Sequence, residues 1–142
     1  MIKYSRKIIL LQGLPASGKT RFANKICKRF KRYSKIERDE LREFFFKKRR
    51  FLSKRQERFI SFIQVYILRY FLYKKCTPII ADNNLDPKII DWWKVLSIKY
   101  NFKIKRIFLN TDYKECVLRD SQRNNATGWI EIIKRYIKYI KS

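Results

Sequence analysis

The chain has 142 residues, 46% of them hydrophobic, and carries 36 Lys and Arg against 12 Asp and Glu, a formal net charge of +24 without any histidine. This length allows one domain with a hydrophobic core, and the apolar content excludes intrinsic disorder. A positive excess of this size indicates a polyanionic partner, most commonly nucleic acid, with the coding bias of an AT-rich genome as a competing explanation. An anionic membrane surface is disfavoured because the basic residues are spread along the whole chain.

The cysteines and the longest apolar stretch restrict the cellular setting. Cys27, Cys76 and Cys116 are far apart and have no metal-binding spacing, which indicates free thiols in a reducing compartment. The apolar stretch 59–73 is broken by polar residues and is too short to span a bilayer, so we interpret it as a core helix. The amino terminus shows no signal-peptide core. We therefore expect a cytoplasmic protein without a membrane partner, acting in the host cell if a virus or phage encodes it.

Hydrophobic periodicity predicts strands and helices that alternate along the chain. Lys7–Gln12 is a short apolar run typical of a buried parallel strand, and helical spacing of apolar residues follows over 21–30. The next predicted elements are a strand at 34–37, a helix capped by Asp39 and reaching about Phe46, a basic connector at 47–54 and a long helix from Ser53 or Lys54 to about Lys75. The last are a strand at 77–82, a helix from Asp86-Pro87 to about Tyr100, a strand at 102–109, a helix from Thr111 or Asp112 to about Gln122, and a helix from Thr127 or Gly128 to Ile140.

This alternation predicts an α/β fold of the P-loop kinase type. We expect a parallel sheet of four to five strands with helices on both faces, joined by right-handed crossovers. The chain shows no internal repeat and no Pro/Gly/Ser-rich linker. We therefore expect residues 1–142 to form a single domain.

The loop after the first strand matches the phosphate-binding pattern G-x-x-x-x-G-K-[ST] completely. Its sequence is Gly13-Leu14-Pro15-Ala16-Ser17-Gly18-Lys19-Thr20. In such a loop backbone N–H groups and the helix N-terminus face the phosphates. Lys19 is expected to reach the β- and γ-phosphates, and the Thr20 hydroxyl to bind Mg²⁺. Two of only three glycines in the chain lie here, so the sequence predicts a site for ATP, or another nucleoside triphosphate, with Mg²⁺.

Several features favour a small kinase over a GTPase or a motor. The guanine-recognition pattern N-K-x-D is absent, and the chain leaves little room for switch machinery. A kinase needs a carboxylate to accept the proton of the attacking hydroxyl. Asp39 follows the predicted second strand, whose carboxyl end lies on the side of the phosphate loop, and Arg38 and Arg42 flank it. Asp39 is thus a candidate general base, although a helix cap explains it equally well.

Two weaker clusters lie at other loops. Asp82, Asn83 and Asn84 follow the third strand and are candidates to bind an arginine, a metal-bound water or the substrate, or to form an ordinary strand-to-helix turn. Arg119 and Arg123 are four residues apart, just before an asparagine-rich loop that contains glycine. They suit a lid that clamps the γ-phosphate, although solvated arginines are the commoner occurrence on a helix.

Taken in order, these pieces resemble the kinase domain of bacteriophage-type 5′-polynucleotide kinases. The stretches that carry the resemblance are GLPASGKT, ERDELR, IIADNNLDPK and LNTDYKECVLRDSQRN, which together span most of the chain. The resemblance implies transfer of the γ-phosphate of ATP to the 5′-hydroxyl end of DNA or RNA, in nucleic-acid end repair. Two departures are Asn83, where that family often has a hydroxyl residue, and a lid loop rich in asparagine instead of basic residues.

The same resemblance implies roles for the candidate residues. Asp39 is expected to act as the general base and Lys19 and Arg123 to assist catalysis. Arg42 is expected to contact a phosphate of the acceptor, with Asp82 supporting that arginine. Substrate contacts are expected from Arg38, Arg42, Asp82, Asn83 and Asn84, and nucleotide contacts from Arg119, Arg123, Gly13, Pro15, Ala16, Ser17, Gly18, Lys19 and Thr20.

Two other functions compete with this one. A kinase of nucleosides, nucleotides or other small molecules would use the same donor site, but it would have no need of the +24 charge. A nucleic-acid-binding protein regulated by ATP would bind with steep salt dependence and transfer no phosphate. For the basic, aromatic segment 44–58 we expect either a nucleic-acid path, with cations on phosphates and Phe on bases, or an ordinary core and solvated face. No phosphatase or ligase segment is expected.

Overall fold

The computed structural model describes residues 4–141. The expectation that the amino terminus lacks a signal-peptide core concerns residues 1–3 in part, which lie outside this range. The elements are β1 (Lys7–Gln12), α1 (Lys19–Arg29), β2 (Tyr33–Ile36), α2 (Arg38–Phe46), α3 (Lys54–Tyr73), β3 (Thr77–Ile80), α4 (Pro87–Tyr100), β4 (Lys103–Phe108), α5 (Tyr113–Ser121) and α6 (Trp129–Tyr136), with a π-helical turn at Ile137–Lys141. Every predicted element is present, most with bounds shifted by about two residues, and the last helix changes to the π form before Ile140.

The four strands form one parallel sheet in the order β2-β3-β1-β4. Ile9 of β1 lies opposite Ile79 of β3 and Lys105 of β4. The predicted α/β fold with a parallel sheet is therefore confirmed, with four strands among the described residues. Because parallel strands point the same way, the loops that follow β1, β2 and β3 open at one edge of the sheet. The phosphate loop, the start of α2 and the β3–α4 turn meet there.

Helices cover both faces of the sheet because successive side chains of a strand alternate between faces. Ile8 and Leu10 of β1 pack with residues of α3 and α4, among them Leu68 and Trp93. Ile9 and Leu11 face the other way and pack against α1. Burial of these aliphatic side chains stabilises each by about 1.5–3 kcal/mol, and it fixes the strand whose end carries the phosphate loop.

The predicted cap at Asp86 is confirmed, and two other helices are capped by one of the two residues between which the sequence leaves their start open. Ser53 opens α3 with a capping box in which its Oγ accepts a hydrogen bond from Gln56 N at 3.2 Å. Asp86 caps α4 through Lys88 N at 2.9 Å, with proline at the first helical position. Asp112 caps α5.

The predicted helix cap at Asp39 is wrong. The helix α2 begins one residue earlier, and Asp39 lies inside its first turn. The N–H of Arg38 is instead bound by Asp82, whose Oδ1 accepts it at 2.8 Å from the turn after β3. A carboxylate from the turn after β3 thus binds the N–H group of Arg38 at the helix N-terminus, which leaves the side chain of Asp39 available for other contacts.

The interpretation of 59–73 as a core helix holds for only one face of α3. Ile60, Gln64, Leu68 and Leu72 are buried, whereas the aromatic residues Phe62, Tyr66 and Tyr70 between them are exposed. The helical period separates the two sets, which a count of apolar residues along the chain merges. Within residues 4–141, none of the helices combines the length and hydropathy that crossing a bilayer requires.

Candidate active site

The phosphate loop connects β1 to α1 with two glycines in positions that exclude other residues. A Cβ on Gly13 would lie 2.6 Å from Ser17 Oγ and 3.2 Å from the carbonyl oxygen of Leu109. Gly18, which precedes α1, has φ 101°, in the left-handed region that favours glycine. The loop is tied to the neighbouring strand by a hydrogen bond from Gly13 N to the carbonyl of Asn83 at 3.1 Å. The N-terminus of α1 consequently opens at the sheet edge as an anion-binding position.

Lys19 is buried in this loop and donates to its carbonyl groups. Its Nζ lies 2.6 Å from Leu14 O and 3.0 Å from Gly13 O, with Ser17 Oγ at 3.2 Å. Burial lowers the pKa of Lys19 to about 8, and this outweighs neighbouring groups led by Asp82, which favour the charged form. The charged form of Lys19 would therefore be stabilised by a negative charge bound in the loop.

This shift predicts that nucleotide binding is coupled to proton uptake. Near pH 9 Lys19 is largely neutral in the free protein, and a bound triphosphate restores the charged form. Titration calorimetry with ATP in two buffers of different ionisation enthalpy is expected to show uptake of close to one proton at this pH and much less near pH 7. A Lys19→Arg variant keeps the charge but does not titrate, so its uptake should vanish. Equal binding enthalpies in both buffers near pH 9 would contradict the prediction.

The Thr20 hydroxyl and a carboxylate that sequence reasoning missed face each other beside this loop. Thr20 Oγ1 donates to Glu37 Oε2 at 3.1 Å, and Lys35 Nζ lies 3.4 Å from the same oxygen. Burial of Glu37 raises its pKa, partly opposed by Lys35. A hydroxyl and a carboxylate are hard oxygen ligands that suit Mg²⁺, which ordinarily takes only one or two carboxylates beside phosphate oxygens and water. Residues 4–141 contain no cluster of three or more acidic, His or Cys side chains arranged for a metal.

The candidate base Asp39 belongs to a chain of ion pairs between α2 and α3. Asp39 Oδ1 accepts a hydrogen bond from Arg42 Nη1 at 2.6 Å. Arg42 also donates to both carboxylate oxygens of Glu57, at 2.9 and 3.1 Å, and Arg38 Nη2 donates to Glu57 Oε2 at 2.7 Å. Glu57 therefore holds two arginines, and their charges lower its pKa against the desolvation that raises it. Asp39 and Arg42 are half-buried at the cavity wall.

Asp82 does not support Arg42 as the resemblance implies. Its Oδ1 accepts the backbone N–H of Arg38, and its Oδ2 accepts Gln64 Nε2 at 2.8 Å. Desolvation raises the pKa of Asp82, and these hydrogen bonds oppose that rise. The support of Arg42 comes from Glu57 instead, on a helix that sequence reasoning did not connect to the site. Asp82 thus fixes the start of α2 and, through it, the position of Asp39.

The expected substrate contacts of two other residues are not supported by their surroundings. Arg38 directs its guanidinium at α3, where it donates to Ser61, Gln64 and Glu57. Asn84 is buried with φ 50°; its Nδ2 donates to Leu11 O at 2.7 Å and its Oδ1 accepts the indole N–H of Trp93 at 3.3 Å.

These hydrogen bonds use the polar groups of both side chains within the protein, so we expect both residues to position the site, and their substrate contacts stay predictions. Asn84 also accepts Gln12 Nε2 at its carbonyl oxygen, at 2.8 Å, and thereby joins the turn after β3 to the end of β1. Asn83, in contrast, is partly exposed and lines the cavity.

The segment 119–128, for which the sequence predicts a lid and which we call the lid, is organised by Asp120. This residue is a buried carboxylate that sequence reasoning also missed. Its oxygens accept the N–H groups of Thr127 and Gly128, both at 2.8 Å, and Arg123 Nη2 donates to it. Desolvation opposes ionisation of Asp120, but these donors outweigh it and lower its pKa. Arg119 pairs with Glu115 on the exposed side of α5, and a Cβ on Gly18 would lie 3.8 Å from its Nη1.

The basic connector between α2 and α3 is attached to this lid. Arg50 donates to the carbonyl groups of Asn125 and Ala126 and, at 3.0 Å, to Thr127 Oγ1. Phe51, beside it, is exposed at the mouth of the cavity with φ 61°. The connector and the lid therefore form one side of the site together. Part of the segment 44–58, which has no recognisable motif, thus lines the cavity.

One cavity of about 1380 Å³ gathers these elements at the carboxyl edge of the sheet. Of the predicted site residues, only Gly13 and Ser17 do not line it, and both are buried within the phosphate loop. The cavity wall otherwise contains the predicted residues Pro15, Ala16, Gly18, Lys19, Thr20, Arg38, Asp39, Arg42, Asp82, Asn83, Asn84, Arg119 and Arg123. Glu37, Glu57, Gln64 and Arg50 are among the other residues that line it.

The chain is similar to known proteins in sequence and in fold. A family model described as an AAA domain matches residues 8–140. A chain in the structure of the Pnkp1/Rnl/Hen1 RNA repair complex has a TM-score of 0.82 at 21% identity over 96% of this chain, and one in a second structure of the Pnkp1/Rnl/Hen1 complex has 0.74 at 20% identity over 89%. The crystal structure of APE1195 gives 0.67 at 15% identity over 86%.

These likenesses confirm the P-loop kinase fold that the sequence predicted. This chain covers 44% and 42% of the two Pnkp1/Rnl/Hen1 chains and 70% of the APE1195 chain, so it spans less than half of the first two. The match of the family model over nearly all of the chain establishes the relationship: the protein belongs to the AAA domain family of nucleotide-binding P-loop proteins.

Proposed function

We propose that this protein is a 5′-hydroxyl polynucleotide kinase, which transfers the γ-phosphate of ATP to the 5′ end of DNA or RNA. The proposal rests on one observation: a single cavity joins the phosphate loop, the pair Asp39–Arg42 and the lid arginine Arg123. Phosphoryl transfer to a hydroxyl requires a carboxylate that faces the triphosphate site. A site that only hydrolyses a nucleotide would not need the additional pair Asp39–Arg42 opposite the phosphate loop.

The donor half would consist of the phosphate loop and the lid. Backbone N–H groups at the start of α1 and the Lys19 ammonium would neutralise the phosphates, and Arg119 and Arg123 would approach them from the lid. Thr20 and Glu37 are the residues that would hold Mg²⁺. When bound, the ion supplies positive charge to the β- and γ-phosphate oxygens and lowers the cost of charge separation.

The acceptor half would consist of Asp39 and Arg42. The oxygen of the 5′-hydroxyl attacks the γ-phosphorus, the bond from that phosphorus to the β–γ bridging oxygen breaks, and ADP departs with the electron pair. The hydroxyl proton passes to Asp39, which Arg42 holds at 2.6 Å. Arg42 has further donors for the acceptor's own phosphate, and Glu57 keeps its guanidinium in place.

The acceptor is a polymer on two grounds. The net charge of +24 favours binding of a partner that presents many phosphates, since each neutralised phosphate adds to affinity. The cavity of about 1380 Å³ also has room for the end of an oligonucleotide beside a bound nucleotide. A role in repair of broken ends is supported by the likeness to a chain from an RNA repair complex.

The test is direct transfer of label. The protein is incubated with γ-labelled ATP, Mg²⁺ and a 5′-hydroxyl oligonucleotide, and label on the 5′ end is the expected result. A 5′-phosphorylated oligonucleotide of the same sequence is the control and should remain unlabelled. Label on free nucleosides but not on oligonucleotides would establish the small-molecule kinase instead. Tight ATP and oligonucleotide binding without any transfer would establish a regulated nucleic-acid-binding protein.

A further inference from the structure

Every side chain that α3 exposes to solvent is either aromatic or basic. The aromatic residues recur every three or four positions, so they lie in a row along the helix, opposite the buried row that begins at Ile60. We call these exposed residues the outer face of α3: Phe59, Phe62, Tyr66, Tyr70 and Tyr73, with Lys54, Arg55, Arg58 and Arg69.

This composition differs from that of an ordinary solvated helix. Phe62, Tyr66 and Tyr73 leave 66, 64 and 78% of their surface exposed, which forms a contiguous apolar strip of the kind that marks an interaction site. A solvated face normally carries carboxylates as well. The single acidic residue of α3, Glu57, is instead turned toward the active site, where it binds Arg38 and Arg42.

We propose that the outer face of α3 binds a single-stranded segment of the polynucleotide behind its 5′ end. This inference rests on the proposed function and names the surface that the substrate follows. Rows of aromatic rings interleaved with cations hold single strands, because bases stack on the rings while the cations meet the phosphates. Charge favours this occupant over a second copy of the chain, since two molecules of +24 repel each other.

The outer face is continuous with the active site through α2. Asp39 and Arg42 lie in the first half of that helix, and Phe45 and Phe46 lie at its end. Both rings contact Phe59, with centroid distances of 5.1 and 5.7 Å. The aromatic surface therefore begins about 10 Å from Asp39, given a rise of about 1.5 Å per residue.

The length of the row sets the expected site size. From Phe59 to Tyr73 the helix rises about 21 Å, which corresponds to about six nucleotides at a stacked spacing of about 3.4 Å. Bases in a duplex stack on one another and are not available to the rings. The surface therefore predicts a preference for single-stranded ends. It also predicts an affinity that grows with length up to about nine nucleotides, of which about three cross the gap from Asp39 and about six lie along the row.

The decisive experiment compares two serine double variants of the full chain. The variant Phe62→Ser with Tyr66→Ser interrupts the aromatic row without changing the net charge. The matched control is Val95→Ser with Ile98→Ser, which removes two similarly exposed apolar side chains from α4. Fluorescence anisotropy with a labelled single strand of about 12 nucleotides, without ATP, should show at least about tenfold weaker binding for the α3 variant. The control should stay within about twofold. Tyr70→Ser with Tyr73→Ser repeats the test if circular dichroism shows the first variant unfolded.

The outcomes separate this inference from the proposed kinase activity. Unchanged oligonucleotide affinity in the α3 variant would overturn the inference even where phosphate transfer is intact. So would a blunt duplex that competes as well as the single strand, or a variant that only converts a dimer to a monomer in light scattering. Loss of affinity together with a raised KM for long oligonucleotides, an unchanged kcat and an unchanged KM for a dinucleotide is the expected pattern. If oligonucleotide binding depends on α3 but the wild-type protein transfers no phosphate, the proposed kinase activity is refuted and the proposed binding surface is retained.

Discussion

An Asp39→Asn variant is expected to lose about 100- to 10,000-fold of its phosphoryl transfer rate, the usual contribution of a general base, while its affinity for ATP stays close to that of the wild type. The amide has nearly the shape of the carboxylate but cannot accept the hydroxyl proton. Its oxygen can still accept the hydrogen bond from Arg42, so the wall of the cavity is preserved. Single-turnover transfer to a 5′-hydroxyl oligonucleotide measures the loss, and calorimetry measures ATP binding.

The neighbouring residue offers a matched control. Glu40 pairs with Lys35 at 2.5 Å on the side of α2 away from the cavity, so Glu40→Gln makes the same chemical change one position along the helix. It should retain nearly full transfer, because Glu40 itself is exposed and Lys35 keeps its second carboxylate partner, Glu37. Comparable rates in the two variants would show that Asp39 is not the base. The roles of Lys19 and Arg123 in catalysis also stay predictions, which the same transfer assay can test.

The fold was predictable because its determinants are local. A short apolar run, a helical period or a cap such as Asp86-Pro87 needs only neighbouring residues, and each predicted the element that the structure contains. The common edge of the site followed from topology, since loops after parallel strands open on one side. The phosphate loop, Asp39 and the turn at Asp82 were therefore placed correctly relative to the sheet.

The partners of these residues were not predictable, because they depend on how one helix lies on another. Arg42 has Glu57 within reach only because α2 packs on α3, and no spacing in the sequence links the two. One signal was present: Gln64 interrupts the buried row of Ile60 and Leu68, and a polar residue in such a row must find a hydrogen-bond partner. That partner is Asp82.

The cap at Asp39 failed for a related reason. Asp at a predicted helix start is a strong local signal, and nothing in the local sequence shows that a distant carboxylate binds the same N-terminus. Asp120 lies between Arg119 and Arg123 in the sequence, where an acidic side chain is most often solvated and pairs with its basic neighbours. It follows Cys116 by one helical turn, on the buried side of α5, which is the pattern that marks it as internal.

Asp120 leads to the second large effect, on stability and on the lid. Asp120→Ala removes the acceptor of two backbone N–H groups and of the Arg123 guanidinium. Hydrogen bonds to a charged group contribute about 1.5–3 kcal/mol each, reduced here because the lid loop can be rehydrated, so we expect a loss of about 2 kcal/mol. Thermal unfolding should show a Tm lower by roughly 6–10 °C. Asp91→Ala, on the exposed side of α4, should leave the Tm within about 1 °C.

The pH dependence of this difference identifies its cause. Because the pKa of Asp120 is lower in the folded protein than in the unfolded chain, its carboxylate stabilises the fold at pH values above the ordinary Asp pKa of about 3.9. That contribution is lost as the pH falls through the folded-state pKa. The Tm difference between wild type and Asp120→Ala should therefore be largest near neutrality and shrink below about pH 4. A difference that persists unchanged in acid would mean that the side chain acts through packing alone, and the lid arginine would then owe its position to Thr127.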